Sequence, residues 1–144
     1  MVSWFDWESV DEDLQTFTTA LIAFRADHPV FRRRRFFQGV AIHGHVDDIA
    51  WFRPDGEEMG NGDWKPIRRR GSGCFINGSA ISTMDRFGER ITDESYLLLV
   101  NAHHEAVEWT PPSEPFGASW IRVIDTAKSA AVAGVSARAQ RWRG

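Results

Sequence analysis

The hydrophobic pattern changes character near Gly39, and this change restricts the chain to one helix followed by β-structure. Before Gly39, apolar side chains recur at Leu14, Phe17, Leu21 and Phe24. That spacing places them along one face of an α-helix, because the helix completes a turn about every 3.6 residues. The opening part of the chain is therefore predicted to be helical, with an apolar stripe.

Both ends of this helix carry recognisable signals. Ser9 and Glu12 have the spacing of a capping box, in which a hydroxyl and a carboxylate satisfy free amides at a helix start. Pro29 biases His28 away from helical backbone angles and so ends the helix. The sequence predicts a helix from about Val10 to Asp27.

Beyond Gly39 the chain has the pattern of short strands separated by turns. Apolar runs bounded by turn residues predict strands near 49–53, 74–76, 96–100, 107–109 and 120–124. The run 96–100 is continuously apolar, which predicts a strand buried on both faces. Residues 55–72 are predicted to form a long loop, and 127–144 gives no clear pattern. The predicted fold class is mainly β, an antiparallel β-sandwich preceded by one α-helix.

Length and composition limit the number of domains and the cellular compartment that we expect for the chain. Its 144 residues suit one domain, or one small domain with an appendage. Cys74 is the only cysteine, so no disulfide can form within the chain and a reducing compartment is expected. No apolar run is long enough to span a membrane, and the N-terminus lacks the pattern of a signal peptide. We expect a cytoplasmic protein.

Several segments are familiar when they are taken together and in order. They are Ser3–Trp7, His28–Arg33 with Phe36–Gly39, Asp48–Met59 with Asp63 and Trp64, and Phe75–Gly78 with Leu97–Ala102. In this order they resemble the isoamylase-type bacterial glycogen-debranching enzymes of the alpha-amylase superfamily of glycoside hydrolases. The Asp48–Met59 segment is the most specific of them, and the resemblance covers most of residues 3–126.

The resemblance implies a domain organisation. Enzymes of this family carry a (β/α)8 barrel followed by a C-terminal β-sandwich. Residues 1–39 would be the remnant of the last barrel βα unit with a connector, and residues 40–144 the C-terminal sandwich. The helix stripe would normally pack on barrel strands, so we expect the chain to cover it poorly. The end of the chain, 140–143, departs from the hydrophobic strand with which the family usually finishes.

The resemblance also implies that the catalytic residues are missing. The family's nucleophile, acid/base and stabilising carboxylates lie on barrel strands that precede the Ser3–Trp7 motif, and nothing in this sequence matches them. Glu105 and Glu108 are expected on one strand, facing opposite sides of it, and so cannot flank one glycosidic bond. The parent family is a glycoside hydrolase, but this chain is expected to be inactive alone.

Three residues are the candidates for substrate binding. Trp4, Asp6 and Trp7 belong to the region that borders the substrate cleft in the intact enzyme, where an indole ring can stack on a glucan. The alternative is that both tryptophans pack against the barrel wall. We predict that this chain contains no catalytic residue and no metal ligand.

The histidine pairs could be taken for metal sites and the basic runs for a nucleic-acid surface, but a simpler interpretation is favoured for each. His43 and His45 with the adjacent aspartates, and likewise His103–Glu105, resemble incomplete metal sets, and we expect no metal or other cofactor there. The runs Arg32–Arg35 and Arg68–Arg70 could contact phosphate. With acidic residues close by and a net charge of −3, pairing at a domain junction is favoured over nucleic acid.

The sequence therefore favours one function and leaves two others open. The favoured function is a C-terminal fragment of a glycogen-debranching hydrolase that supports the catalytic barrel, in cis or in trans, on glycogen or limit dextrin. The alternatives are a free-standing α-glucan-binding module and a subunit that complements a separate barrel. Neither a membrane nor nucleic acid is an expected partner.

Overall fold

The chain folds into antiparallel β-structure with one α-helix in the part that the structure describes. A computed structural model describes residues 9–64 and 71–127 together with the short strands 135–137 and 142–143. The elements are α1 (Glu12–Asp27), β1 (Ile49–Phe52), β2 (Gly71–Ile76), β3 (Tyr96–Asn101), β4 (Glu108–Trp109), β5 (Trp120–Arg122), β6 (Val135–Ala137) and β7 (Trp142–Arg143). The mainly-β, antiparallel fold class predicted from the sequence is confirmed.

The predicted helix is present, but its N-terminal cap differs from the prediction. Asp11, not Ser9, is the cap residue, and its carboxylate accepts the Leu14 backbone N–H at 2.9 Å. A carboxylate beside the positive end of the helix dipole is favourable, which explains why Asp11 caps the helix better than a hydroxyl further upstream. At the other end the chain leaves the helix at His28, and Pro29 opens a short 3-10 turn.

The helix stripe is incompletely covered by the described residues. No residue of α1 is buried, but of the four stripe residues only Leu14 is exposed, at 59%, while Phe17, Leu21 and Phe24 are half-buried. Phe24, near the C-terminal end, has its ring centroid 5.5 Å from that of Tyr96 and 5.7 Å from that of Phe31. These ring contacts tie the C-terminal end of the helix to the β-structure.

A three-stranded antiparallel sheet in the order β1-β2-β3 forms the centre of the fold. Register brings Phe75 between Ala50 and Leu97, whereas Ile76 lies between Ile49 and Tyr96. Because successive side chains alternate between faces, these two rows lie on opposite sides of the sheet. Two smaller antiparallel pairs, β4 with β7 and β5 with β6, complete the described β-structure.

Each face of the sheet carries its own apolar cluster. One cluster joins Ala50, Phe52 and Phe75, with Phe116 and Trp120 packed against it. The other cluster lies on the opposite face. It consists of buried Val30, Ile76 and Ile81, with Phe31, Phe37, Cys74, Ile91 and Tyr96 packed around them. The segment after α1 thus covers one side of the sheet.

The prediction that the strand near 96–100 is buried on both faces is wrong. Tyr96 and Leu97 are half-buried, and Leu98, Leu99 and Val100 are 41%, 40% and 53% exposed. β3 lies at one edge of the described sheet, opposite β1, and the two clusters reach only its first residues, Tyr96 and Leu97. An apolar run in the sequence therefore does not show that both faces of its strand are buried.

A buried carboxylate joins the segment after α1 to the sheet. Asp48, immediately before β1, has no exposed surface and forms an ion pair with Arg33 at 3.0 Å. Its oxygens also accept the backbone N–H groups of Gln38 and Gly39 at 2.9–3.2 Å. Gly39 has φ +64°, a left-handed conformation that a residue without Cβ adopts without strain. The backbone of Asp48 bonds in turn to Val40 and Asn77.

No helix in the described part of the chain combines the length and apolar character needed to cross a membrane.

Asp48→Asn should destabilise the fold strongly, because it leaves the Arg33 guanidinium, whose side chain is 5% exposed, without its counter-charge. Removing one partner of a buried ion pair costs about 3–5 kcal/mol of the free energy of unfolding. Urea unfolding followed by circular dichroism measures this loss.

The matched control is Asp55→Asn, which removes an aspartate that pairs with Arg53 at 2.9 Å on the surface, where the two side chains are 58% and 39% exposed. Exposed pairs of this kind contribute about 0–1 kcal/mol. Equal losses in the two variants would contradict the role assigned to Asp48.

Candidate functional site

The substrate-binding candidates taken from the sequence, Trp4, Asp6 and Trp7, lie outside the residues that the structure describes. The basic run Arg68–Arg70 lies outside them as well. Their assignment therefore stays a prediction.

An aromatic pair at the edge of the sheet is the described surface best suited to a ligand. Trp51 in β1 and Trp64 in a 3-10 turn have ring centroids 5.5 Å apart and ring planes at 76°. Alternation along β1 turns Trp51 away from buried Phe52. Trp64 is 47% exposed, so part of an indole surface faces solvent. Its turn is fixed by Asp63, which accepts the Gly60 N–H at 2.9 Å.

Charged groups lie next to this aromatic pair. Arg53 forms an ion pair with Asp55 at 2.9 Å and lies 3.6 Å from Asp63. The hydrogen bond with Asp55 raises the pKa of Arg53, and the same bond lowers the pKa of Asp55. Both groups therefore stay ionised near neutral pH. An indole face beside fixed donors and acceptors can hold a sugar ring, whereas a carboxylate that stays ionised is a poor proton donor.

A second cluster resembles a catalytic arrangement but is structural. His28 Nδ1 lies 3.0 Å from the Asp93 carboxylate and 2.7 Å from the Tyr96 hydroxyl. The Asp93 carboxylate also accepts the Val30 N–H at 3.0 Å, which ties the residues after α1 to the loop before β3.

The titration of this cluster argues against a role in catalysis. Burial alone would raise the pKa of Asp93, but hydrogen bonds from His28 and from the Val30 and Glu94 amides outweigh burial and lower it. Burial, with the charges of Asp93 and Glu94, raises the pKa of Tyr96 to about 12. A phenol with that pKa keeps its proton at neutral pH and cannot act as a base.

Both histidine sets have potential metal ligands nearby. His45 lines a small cleft of about 150 Å³ with Asp47 and Glu58, while the neighbouring Asp48 is already engaged by Arg33 and two amides. In the described part of the chain, the potential ligand atoms of His103, His104 and Glu105 lie within 4.8 Å of one another. His103 Nδ1, however, accepts the Glu105 N–H at 3.2 Å. The expectation of no metal stays a prediction.

The two glutamates considered from the sequence do not share a strand. β4 contains Glu108 but not Glu105, which belongs to the preceding bend, so their expected placement on one strand is wrong. Both side chains are exposed. The buried carboxylates, Asp48 and Asp93, are each held by several hydrogen bonds to structural partners. Asp48 and Asp93 thus hold the fold together, while Glu105 and Glu108 face solvent.

The described part of the chain is a β-rich domain, and comparison with known proteins gives its family. A family model described as "Isoamylase, C-terminal" matches residues 48–140. The chain belongs to this isoamylase C-terminal domain family.

Curated relatives agree with this assignment. The "Glycogen operon protein GlgX homolog" of Mycobacterium tuberculosis (strain ATCC 25618 / H37Rv) is 43% identical over 129 residues, a match that covers 87% of this chain and 18% of the relative. An "Isoamylase" of Flavobacterium sp. is 29% identical over 128 residues, covering 87% of this chain and 15% of the relative. A "Glycogen debranching enzyme" of Serratia proteamaculans (strain 568) is 24% identical over 112 residues, covering 78% and 14%. The chain thus spans less than a fifth of the length of these relatives.

Sequence reasoning missed the residues that organise the structure. Asp48 and Trp51 lie in the most specific segment of the resemblance. The sequence, however, indicates Asp48 only as a neighbour of a histidine pair and Trp51 only as a strand residue, and no pattern singles out Asp93. A single aspartate between apolar runs carries no sequence signal that separates a buried anchor from an exposed turn residue.

Asp93→Asn should make the free energy of unfolding depend less strongly on pH under acidic conditions. Because the pKa of Asp93 is lower in the folded chain than in the unfolded one, its contribution is present above the unfolded pKa. The contribution is lost as the pH falls through the folded value. We expect the free energy of unfolding, measured in urea from about pH 6 to pH 2, to fall less steeply in the variant than in the wild type. Parallel curves throughout this range would contradict the role given to Asp93.

Proposed function

We propose that this chain acts as the C-terminal part of a glycogen-debranching hydrolase that cleaves α-1,6 branches of glycogen or its limit dextrins. It supports the catalytic barrel and is not catalytic alone. The observation that carries the proposal is the asymmetry of the match, which takes 87% of this chain but 18% of the relative. The chain corresponds to one part of a larger enzyme, and the family description makes that part C-terminal.

Chemistry supports the absence of catalysis by the chain alone. Retaining glycosidases need two carboxyl groups about 5–5.5 Å apart, one of them protonated, on either side of the scissile bond. In the described part of the chain, the buried carboxylates are engaged by amides and cations, and Glu105 and Glu108 are exposed to solvent. Two carboxylates that face solvent from a bend and from a short strand do not line opposite sides of one enclosed cleft.

The uncovered helix supports a role beside a larger partner. Residues 1–39 are proposed as the remnant of the last barrel βα unit with its connector and residues 40–144 as the sandwich domain, with the stripe of α1 facing the barrel. Leu14 in this stripe is 59% exposed. Burying such side chains against a partner gains about 1.5–3 kcal/mol each. Trp4, Asp6 and Trp7 would then border the substrate cleft of the assembled enzyme, in the cytoplasm.

The two alternatives are a glucan-binding module and a subunit that complements a separate barrel. The Trp51–Trp64 surface favours the module, since an exposed indole beside Arg53 can hold a sugar ring. The two rings stand at 76°, however, so they do not form the co-planar platform on which successive sugar rings stack. The complementing subunit would use the same exposed helix, with the barrel supplied in trans.

The isolated chain should release no reducing ends from glycogen limit dextrin above a buffer blank over several hours. A chimera of the Mycobacterium tuberculosis relative, with its matched segment replaced by this chain, should debranch the same substrate. At 43% identity we expect a rate within about tenfold of that of the relative, equivalent to ~1.4 kcal/mol in the activation barrier. The measurement is a reducing-end assay on purified proteins.

Three outcomes would count against the proposal. Turnover by the isolated chain that vanishes on Glu105→Gln or Glu108→Gln would make it an enzyme in its own right. An inactive chimera would remove the supporting role. Retention of the isolated chain on glycogen that is lost on Trp64→Ala, but kept on Phe87→Ala, would favour the module, since Phe87 is a comparably exposed aromatic elsewhere.

A further inference from the structure

The residues after α1 form a basic and aromatic ridge on the surface, defined here as Arg32, Arg34, Arg35 and Phe36. Phe36 is 95% exposed. The three arginines are exposed, and none of them forms an ion pair with another described residue. The intervening Arg33 turns inward to Asp48. The ridge therefore exposes three cations and one aromatic ring, and the inward-facing Arg33 fixes it to the β-structure.

A groove runs beside the ridge. It has a volume of about 260 Å³ and is lined mainly by apolar side chains, among them Val30, Phe31, Phe37 and Ile76. Arg35 and Phe36 also line it, so ridge and groove are one continuous surface. In the described part of the chain, the Nη1 nitrogen of Arg33, another lining residue, is buried without a hydrogen-bond partner.

The ridge is held in position from both sides. Upstream, the Asp93 carboxylate accepts the Val30 N–H, and downstream the Asp48 carboxylate accepts the N–H groups of Gln38 and Gly39. The backbone that presents Phe36 is therefore fixed at two points before any partner arrives. Preorganisation of this kind reduces the entropy lost on association. Arg and Phe are also among the side chains that are enriched at protein interfaces.

The match to the Mycobacterium tuberculosis relative spans this segment. Because it covers 87% of the chain, too few residues are left outside it at either end to exclude Arg32–Phe36. More than four-fifths of the length of that relative lies outside the match. The polypeptide available to meet the ridge is thus the larger part of the same enzyme.

We infer that the ridge and its groove are the surface on which the larger, catalytic part of the enzyme docks. That part places acidic side chains against Arg32, Arg34 and Arg35 and an apolar side chain in the groove beside Phe36. Charge complementarity favours this occupant, because three exposed cations without a partner in the described chain call for carboxylates. The inference rests on the proposed function and identifies the surface through which that function acts.

The test uses the chimera in which this chain replaces the matched segment of the Mycobacterium tuberculosis relative. The variant Arg35→Glu/Phe36→Ser reverses one charge and removes the exposed ring. Its matched control is Arg86→Glu/Phe87→Ser, which alters another Arg–Phe pair, in which the Arg86 guanidinium stacks 4.6 Å from the Phe87 ring centroid and Phe87 is 72% exposed. Arg34→Glu is the second, milder variant.

We expect the ridge variant of the chimera to lose about tenfold or more in debranching rate, since hot-spot substitutions weaken association at least that much. Its melting temperature should fall below that of the unaltered chimera. Arg34→Glu should shift both readouts in the same direction, and the control should match the unaltered chimera. In the free 144-residue chain the ridge variant should melt with the wild type, because Phe36 is almost fully exposed there.

Each contrary result has a separate meaning. A ridge variant that behaves like its control, in an active chimera, overturns the docking surface and leaves the proposed function standing. An inactive unaltered chimera overturns the proposed function as well. A free chain that forms dimers by analytical ultracentrifugation, and becomes monomeric on Arg35→Glu/Phe36→Ser, assigns the ridge to a second copy and overturns the inference.

Discussion

The buried Asp48 carboxylate is the interaction on which the arrangement of this chain depends. It neutralises Arg33, accepts two successive backbone N–H groups at Gln38 and Gly39, and stands at the entrance to β1. Taking a carboxylate and a guanidinium out of water is costly, and the cost is offset only when both are paired and hydrogen-bonded. Asp48 meets that condition through three protein partners. Arg33 meets it less completely among the described residues, because its Nη1 has no acceptor there.

Asp93 repeats the same solution at the other end of the connector. Its carboxylate binds His28 and the Val30 amide, so residues 28–39 are held at both ends by aspartates that belong to the β-structure. Apolar contacts between these anchors, chiefly Val30 and Phe31 with Ile76, cover one face of the sheet. The connector is therefore anchored to the β-structure, while no residue of α1 is buried and Leu14, near its N-terminal end, is exposed. A domain built in this way suits a role as one part of a larger enzyme.

Local patterns predicted the local elements, and long-range contacts determined the rest. The helix, the turn at Pro29 and the strands β1, β3 and β5 follow from periodicity and turn residues, which act over a few positions. The burial of β3 was predicted wrongly because an apolar run does not reveal whether its strand lies at the centre or the edge of a sheet. The anchors Asp48 and Asp93 bind partners up to 15 and 65 residues away, a separation at which no sequence spacing is informative. Of the candidate site, the resemblance indicated the family, but the Trp51–Trp64 surface depends on a turn geometry that the loop composition did not predict.

Native-state hydrogen exchange of the isolated chain tests the central claim most directly, namely that the connector is anchored in the β-domain while α1 is left for a partner. The account predicts that the Gln38 and Gly39 amides, which donate to buried Asp48, exchange as slowly as those of β2. Amides in the first turns of α1, where no residue is buried, should exchange orders of magnitude faster. Rapid exchange at Gln38 and Gly39 together with protection throughout α1 would contradict it.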